Sequence, residues 1–450
     1  MIRRRTFVIP LLAAGMVAGT HFAPKPSEDP RPPGGVKVTQ TTYACPAGEG
    51  ITVATGQLSA GTKGTATVLP EKVEDEDLSG ATNWRTSKVD GRGVVIEQQG
   101  RGSGPAGFFA ATASGKEGGG LIVGSCPAGV DDAWFLGLGT GSKHFSTVIL
   151  TNGTGAPAAV DLELWGTDGK IEAVDAKSVV IKPFSTRRVQ LDDLAAGEPE
   201  LALRVLRRRG AVSATVNDRS TAVFGGNEVV SATATPRRSQ LISGLVAGSG
   251  GRTLAILNPG ATTARVEVDV IDSKNKFKPS GLEDIKVKAG ALRLIEVPSS
   301  AGNGRSALQI TSDVPVAATV RMTPNQKDYA YAEAGPALTG PAIIPVDLGK
   351  GVEVPDLIVT AVDKTASVQV FAYDKGMKQL GETALSVQGD TTSHIDAAQE
   401  FKQKGIAYLV VQCKGEIFAA ATYRDGPRIA SLALLSAPIR VQAPHVRPVD

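Results

Sequence analysis

The sequence is poor in the residues that carry most catalysis and most metal binding. Only four histidines and three cysteines occur in 450 residues, and His21 and His445 fall near the two ends. Neither His144 nor His394 stands at metal-ligand spacing from another His or Cys, so no zinc site and no cofactor are expected. No Gly-x-Ser-x-Gly elbow is present. Convergent triads need no motif, which leaves His144, His394 and carboxylates as candidates for acid–base work. Strong charge of either sign is also missing. Lys and Arg number 48 against 45 Asp and Glu, a formal net charge of +3, far from the basic excess that neutralises several phosphates, so nucleic acid is not an expected partner. Aromatic residues reach only 5%, while Gly numbers 52 and Pro 27. That describes a turn-rich chain whose apolar content of 42% still suffices for folded cores.

What is present begins at the N-terminus. Arg3, Arg4 and Arg5 precede an uncharged stretch from Thr6 to Ala23, and Lys25 opens a polar, Pro-rich segment, the layout of an export signal. Pro10 and His21 interrupt the apolar part, which is short against the roughly 20 residues of a spanning helix. Residues 1–23 are therefore read as a signal peptide or, because no clean A-x-A site precedes the linker, as an uncleaved membrane anchor. Arg4 to Val8 loosely resembles a twin-arginine export motif without its flanking residues. Residues 24–36 read as a disordered linker. Cys45 and Cys126 each begin Cys-Pro-Ala-Gly, and in an oxidising compartment they are expected to pair. Two free buried thiols are the alternative. Cys413 shares the face of Leu409 and Val411 by period-two alternation and reads as a core residue.

An internal repeat organises the rest. Val148–Asn152 followed by Ala159–Leu164 and the turn Asp168-Gly169-Lys170 is matched by Leu254–Asn258, Arg265–Val270 and Asp272-Ser-Lys274, and again by Leu357–Ala361, Ser367–Ala372 and Asp374-Lys-Gly376. Val160, Val266 and Val368 correspond, 106 and 102 residues apart, the length of a sandwich domain. Val160, Leu162 and Leu164 point one way while Asp161 and Glu163 point the other, giving strands with one dry and one wet face. With six or seven short strands per unit, the expected fold is all-β, three tandem immunoglobulin-like or fibronectin-like β-sandwich repeats over 130–236, 237–340 and 341–440. Residues 37–129 are expected to be a degenerate N-terminal β segment tied to the first sandwich by Cys45 and Cys126, and 441–450 a tail. Within that segment the acidic run Glu71–Asp77 reads as a solvated loop. Helix is expected to be scarce, with Asp396–Lys404 as the one candidate.

Cys126-Pro127, Asp132-Ala-Trp134-Phe135, Val148–Asn152 and Val160–Gly169 together resemble a family of secreted actinobacterial proteins known only as a domain of unknown function. The resemblance covers most of the chain after the linker and is strongest from Cys126 to Thr215. It implies export and a cell-envelope setting. Members are often encoded near envelope glycosyltransferases, which implies surface-polysaccharide work, and the family supplies no catalytic residues.

The remaining motifs read as structure. Gly137–Lys143 lacks the spacing of a phosphate loop and precedes a strand, so it is expected to be a hairpin turn. Asp131-Asp132 and Asp192-Asp193 read as turn acids, with no calcium-loop pattern. Two candidate binding features stand out. Arg204, Arg207, Arg208 and Arg209 could meet an anionic polymer or lipid headgroup through bidentate contacts. Phe371 and Tyr373, with Tyr423 beside them, could stack on sugar rings or a partner protein. The expected function is that of a non-catalytic, secreted or cell-surface binding, scaffold or adhesion module. Its expected partners are an envelope polysaccharide or an envelope protein complex. The alternative is a polysaccharide-processing enzyme with a carboxylate pair on a sandwich scaffold.

Overall fold

The computed structural model describes residues 34–37, 40–48, 50–56, 63–69, 76–77, 84–89, 91–99, 107–113, 119–221, 225–248, 250–324, 327–349, 351–436 and 440–443. The signal or anchor expected over 1–23 lies outside them. No helix among the described residues is long and apolar enough to cross a membrane. Gly34–Lys37 and Arg440–Ala443 form a two-stranded antiparallel ribbon, a unit separate from 38–439. The last residues of the expected linker and the first of the expected tail are thus paired strands.

Within 38–439 the described residues form antiparallel sheets joined by turns, with almost no helix. In the N-terminal part the strands run Gln40–Cys45, Ile51–Gly56, Lys63–Val68, Glu76–Asp77, Trp84–Val89, Val94–Gln99, Gly107–Ala113 and Gly120–Ser125. Hydrogen bonding places the first, sixth, third and fourth in one sheet and the fifth, second, seventh and eighth in the other. The same order recurs from Asp132 to Val230, from Arg237 to Gly335 and from Ala342 to Ala433. In the unit from Arg237 to Gly335 the sixth and seventh strands run on as a single strand, Ser306–Met322, and the first strand also pairs with the eighth, which joins the two sheets.

The expected N-terminal β segment is present, and its described strands follow the full strand order. The described strands between 40 and 125 take the same order as the three stretches recognised by their spacing, so that order occurs four times, and those stretches are the second, third and fourth. Glu76–Asp77, expected in a loop, pairs with Thr65 and Ala66. Cys45 and Cys126 are joined, 81 residues apart. The bond closes the first sandwich on itself, linking its first strand to the residues just after its last, instead of tying it to the next. A loop of that length removes roughly 4 to 5 kcal/mol of unfolded-chain entropy.

The repeat has a local physical signature. Buried Asn152 donates through Nδ2 to the carbonyls of Ala156, Ile181 and Lys182 at 2.8, 3.4 and 3.1 Å. Asn258 does the same to Thr262, Val287 and Lys288 at 2.7, 3.1 and 3.2 Å. One amide thereby satisfies three carbonyls that the strand ends leave over. In the fourth sandwich Ala361 stands at this position, and Asp390 instead accepts the Asp363 amide across the same gap. The helical candidate is one turn, α1 (Ala397–Glu400), capped by Asp396, which accepts from the amides of Ala398 and Gln399. The matching segments of the second and third sandwiches are 3-10 turns, Leu191–Asp193 and Ser299–Ala301.

The four sandwiches close into a ring. Their eighth strands, Gly120–Ser125, Gly226–Val230, Ala330–Gly335 and Arg428–Ala433, touch in cyclic order, with the fourth also against the first. Each core takes in residues from the next sandwich. Val229 enters the first core, Tyr329 and Tyr331 the second, and Ile358 and Ile429 the third. Leu121, Val123 and Phe108 of the first complete the fourth. The approach is close enough to need glycine. A Cβ on Gly120 would stand 2.3 Å from the Asn227 carbonyl oxygen, and one on Gly226 would stand 2.6 Å from an Asp328 oxygen.

Asp328 sits in this closure, fully buried. Its Oδ2 accepts the amides of Leu121 at 3.1 Å and Ile429 at 3.0 Å, and Oδ1 accepts that of Tyr329 at 2.9 Å. One carboxylate thus holds strands of the first, fourth and third sandwiches. Asp328→Ala leaves all three amides without their acceptor, at a cost of about 3 kcal/mol. Hydrogen exchange at the Leu121 and Ile429 amides should accelerate together, ahead of the sandwich cores. Unchanged exchange at both would show that the carboxylate does not hold the ring.

Candidate functional site

The arginines expected to form a free cationic patch lie on one strand, Leu201–Arg209, whose neighbours are Asp132–Leu138 and Ala158–Trp165. Those neighbours bring the carboxylates. Arg204 forks onto Asp132, with Nε at 2.7 Å and Nη2 at 3.0 Å, and reaches Glu163 at 2.9 Å. Arg207 meets Asp131 at 2.7 Å, and Arg208 meets Asp161 at 2.7 Å. Only Arg209 among the four has no carboxylate partner among the described residues. The patch is a charge-matched ladder. Asp161, expected on a wet face, is buried because Arg208 and the Ser178 amide cover it, and these contacts, led by the Arg208 hydrogen bond, hold its carboxyl below the ordinary range. Arg204 also lies over Trp134, 4.9 Å from the ring centre, and Trp134 stacks on Trp165 at 5.4 Å. Both tryptophans pack with Ala255, Leu257 and Leu292 of the third sandwich, so this face is partly a joint between domains.

Phe371 and Tyr373 are half-buried on the outer face of Ala366–Tyr373. Tyr373 stacks on Tyr408 at 5.4 Å. Tyr423 does not join them. It is fully buried and donates to the Pro345 carbonyl at 2.8 Å, because its strand turns that position inward. Cys413 packs against the fourth core, half-buried, and burial raises its thiol pKa.

His144 and Asp218 do come together, though not as a nucleophilic triad. His144 Nε2 lies 2.9 Å from Asp218 Oδ1, and Ser146 Oγ donates to that same carboxylate while accepting the Gly139 amide at 3.0 Å. The acid is the hub, and the serine faces it instead of the imidazole. Tyr331 and Tyr329 from the third sandwich donate to Asp218 at 2.8 and 3.0 Å. Burial disfavours the imidazolium, but the neighbouring Asp218 charge outweighs it and raises the His144 pKa. Burial likewise disfavours the Asp218 carboxylate, and His144, Ser146 and Tyr331 outweigh it and lower its pKa. The arrangement locks the second sandwich to the third. The residues Gly137–Lys143 end in the expected hairpin, with Thr140 opposite Phe145 and Gly141 opposite His144.

Two features are not announced by any motif. One is a group of buried acids in the eighth strands and beside them. Burial pushes Glu333 up to about 8 and Asp328 to about 6, and burial with Asp328 nearby pushes Glu228 far above the ordinary range. Glu333 accepts the Ser231 amide at 3.3 Å across the second and third sandwiches. The available signal was an acid inside otherwise dry runs, Glu228-Val-Val and Ala330-Tyr-Ala-Glu-Ala.

The other is a cavity of about 360 Å³ where the first, second and fourth sandwiches meet beside the disulfide. Phe108, Cys126, Ala214, Ile343, Leu432 and Leu434 supply much of its wall, and no charged side chain lines it. Ala232 and Leu435 line it while remaining exposed, which places its opening beside them. No sequence signal marked it, since its walls come from three separate stretches.

A family model described as a family of unknown function (DUF5719) matches residues 84–398. The match begins in the fifth strand of the first sandwich and ends in α1 of the fourth. No curated protein matches. Among solved structures, an α-L-rhamnosidase of Streptomyces avermitilis complexed with L-rhamnose aligns at a TM-score of 0.14 and 9% identity, over 84% of this chain and 56% of that one. At that score the likeness says nothing of this chain's fold or chemistry.

The buried acids make stability depend on pH with a definite sign. A carboxyl whose pKa is raised by folding stabilises the fold while protonated, and that contribution is lost as pH rises through its folded value. The melting temperature should therefore fall as pH climbs from about 4, with the Asp328 share of the fall complete at about 6 and the Glu333 share at about 8. Glu333→Gln keeps the acceptor for Ser231 and should flatten the upper part of that fall. Melting curves of the two proteins from pH 5 to 9 test this, and parallel curves would show that Glu333 does not titrate in the fold.

Proposed function

The chain belongs to DUF5719, a family of unknown function, and for it we propose an exported, non-catalytic binding or scaffold protein of the cell envelope. In this reading the four units of common strand order are immunoglobulin-like or fibronectin-like sandwiches in tandem. The partner is an envelope polysaccharide or an envelope protein complex, and the N-terminal segment is either removed on export or retained as an anchor.

The observation that carries the reading is how the polar chemistry is used. Arg204, Arg207 and Arg208 are matched to Asp132, Glu163, Asp131 and Asp161. Asp218 is occupied by His144, Ser146 and two tyrosines. Asp328 and Glu333 face backbone amides of the ring, whereas a sugar-cleaving pair must face solvent, with room for a glycosidic bond between its members. Of the residues expected to bind, Arg209 stays accessible without a carboxylate partner, Phe371 and Tyr373 are half-buried, and an uncharged cavity opens beside Ala232 and Leu435. Those are means of holding a partner.

The test is retention of the purified chain from Val38 onward on isolated envelope material, separated into polysaccharide and membrane fractions. The comparison is a variant with Arg207, Arg208 and Arg209 changed to Ser. Retention on polysaccharide that the variant loses several-fold would support a polymer partner bound through the arginine strand. Equal retention of both would move the contact to the aromatic face or the cavity. Retention on neither fraction would overturn the proposal.

A further inference from the structure

We infer that the cavity beside Cys45–Cys126 is a binding site for a single linear hydrocarbon chain, the tail of an amphiphile whose polar head stays outside. The inference rests on the binding-protein reading above and supplies the ligand class for one site.

The lining decides the chemistry. Phe108, Ala214, Ile343, Leu432 and Leu434 present carbon, and no Asp, Glu, Lys, Arg or His reaches the wall. A charged or multiply hydroxylated ligand would be stripped of water there without compensation, at a cost of several kcal/mol. Polar groups that do line it are partly spent. The Ser436 hydroxyl accepts the amides of Thr339 and Gly340 at 2.8 and 3.1 Å. A free sugar is therefore a poor occupant, and an alkyl chain a good one.

The size sets the length. An apolar cavity of about 150 Å³ holds a six-carbon ring, so about 360 Å³ takes on the order of a dozen carbons by proportion. Leu435, 50% exposed, stands where the chain would leave the protein. The walls are set by strands of the closed ring and by the disulfide, so the cavity is formed before the ligand arrives, which favours binding over collapse. Glu333 lies just behind the wall, bonded to the amide of Ser231, a lining residue.

The experiment uses the full chain and the uncharged fluorescent probe N-phenyl-1-naphthylamine, displaced by straight-chain alcohols of increasing length. Affinity should rise about four-fold per methylene, the equivalent of about 0.8 kcal/mol. The rise should stop near a dozen carbons, where further methylenes stay in water. Ala232→Trp and Ala433→Phe each fill the cavity from its lining and should weaken displacement at least ten-fold while melting like the parent. If one fails to fold, the other decides. Phe184→Ser, which removes a 46% exposed ring remote in sequence from the lining, should change nothing. No displaceable binding, a length dependence without a limit, tighter binding of 1-adamantanol than of decanol, or full binding by both filled variants would overturn the inference. Envelope retention without alcohol binding would sink this site and leave the broader reading standing. Alcohol binding without envelope retention would do the reverse.

Discussion

The structure turns on one buried carboxylate. Asp328 accepts amides from the first, third and fourth sandwiches, and the second presents Gly226 against it with no side chain to intervene. Backbone amides at the edge of a sandwich ordinarily face water or another strand. Here they face the two oxygens of one carboxyl group, which burial raises to a pKa of about 6. A ring of four domains has a closing step that a linear array lacks, because the last must fit both its predecessor and the first. A single acceptor shared among three domains makes that closing contact directional, which apolar packing alone does not.

The eighth strands show how the ring is built from ordinary sandwich parts. Val266, Val268 and Val270 alternate with exposed or half-buried acids, as an outer strand of a sandwich should. Gly120–Ser125 and Ala330–Gly335 are buried on both faces, with only the last residue of each half-exposed. One face belongs to the strand's own sandwich and the other to its neighbour. Glu228 and Glu333 sit in such strands, where desolvation holds them toward the neutral form. The ring thus carries acids that are tolerated while protonated, and domain closure and proton binding become linked quantities.

Much of the fold was legible because side-chain alternation and the strand-end asparagines recur at constant spacing. The second and third sandwiches share a charged outer face, the second, third and fourth share a common turn, and both marks survive in sequence. The first escaped recognition because it has neither. Its third strand, Lys63–Val68, has Thr and Gly where the second and third sandwiches have aliphatic residues and acids, and Gly56 stands at its second strand's end where Asn152 and Asn258 stand in theirs. A disulfide across its first strand takes over part of the task. The candidate sites were less legible for a related reason. Arg204 and Arg207 were visible as a cluster, but their partners Asp132 and Asp131 lie more than 70 residues away in sequence. Only the strand order brings them together.

The cavity follows from the same geometry. Where three sandwiches converge, small residues leave space that large ones would fill, and Ala128, Gly129, Ala214, Ala232 and Ala433 all stand on its wall. Nearby junctions are filled differently. Trp134 and Trp165 occupy the joint between the second and third sandwiches, and Tyr329 and Tyr331 close the second core. Open space of this volume leaves the apolar side chains of its wall without packing partners on one side. A sequence that plugs comparable joints with its largest side chains and leaves this one lined by its smallest keeps the loss only if something else recovers it. An apolar chain drawn out of water recovers it directly, since it restores to the wall the contacts that the missing side chains would have made.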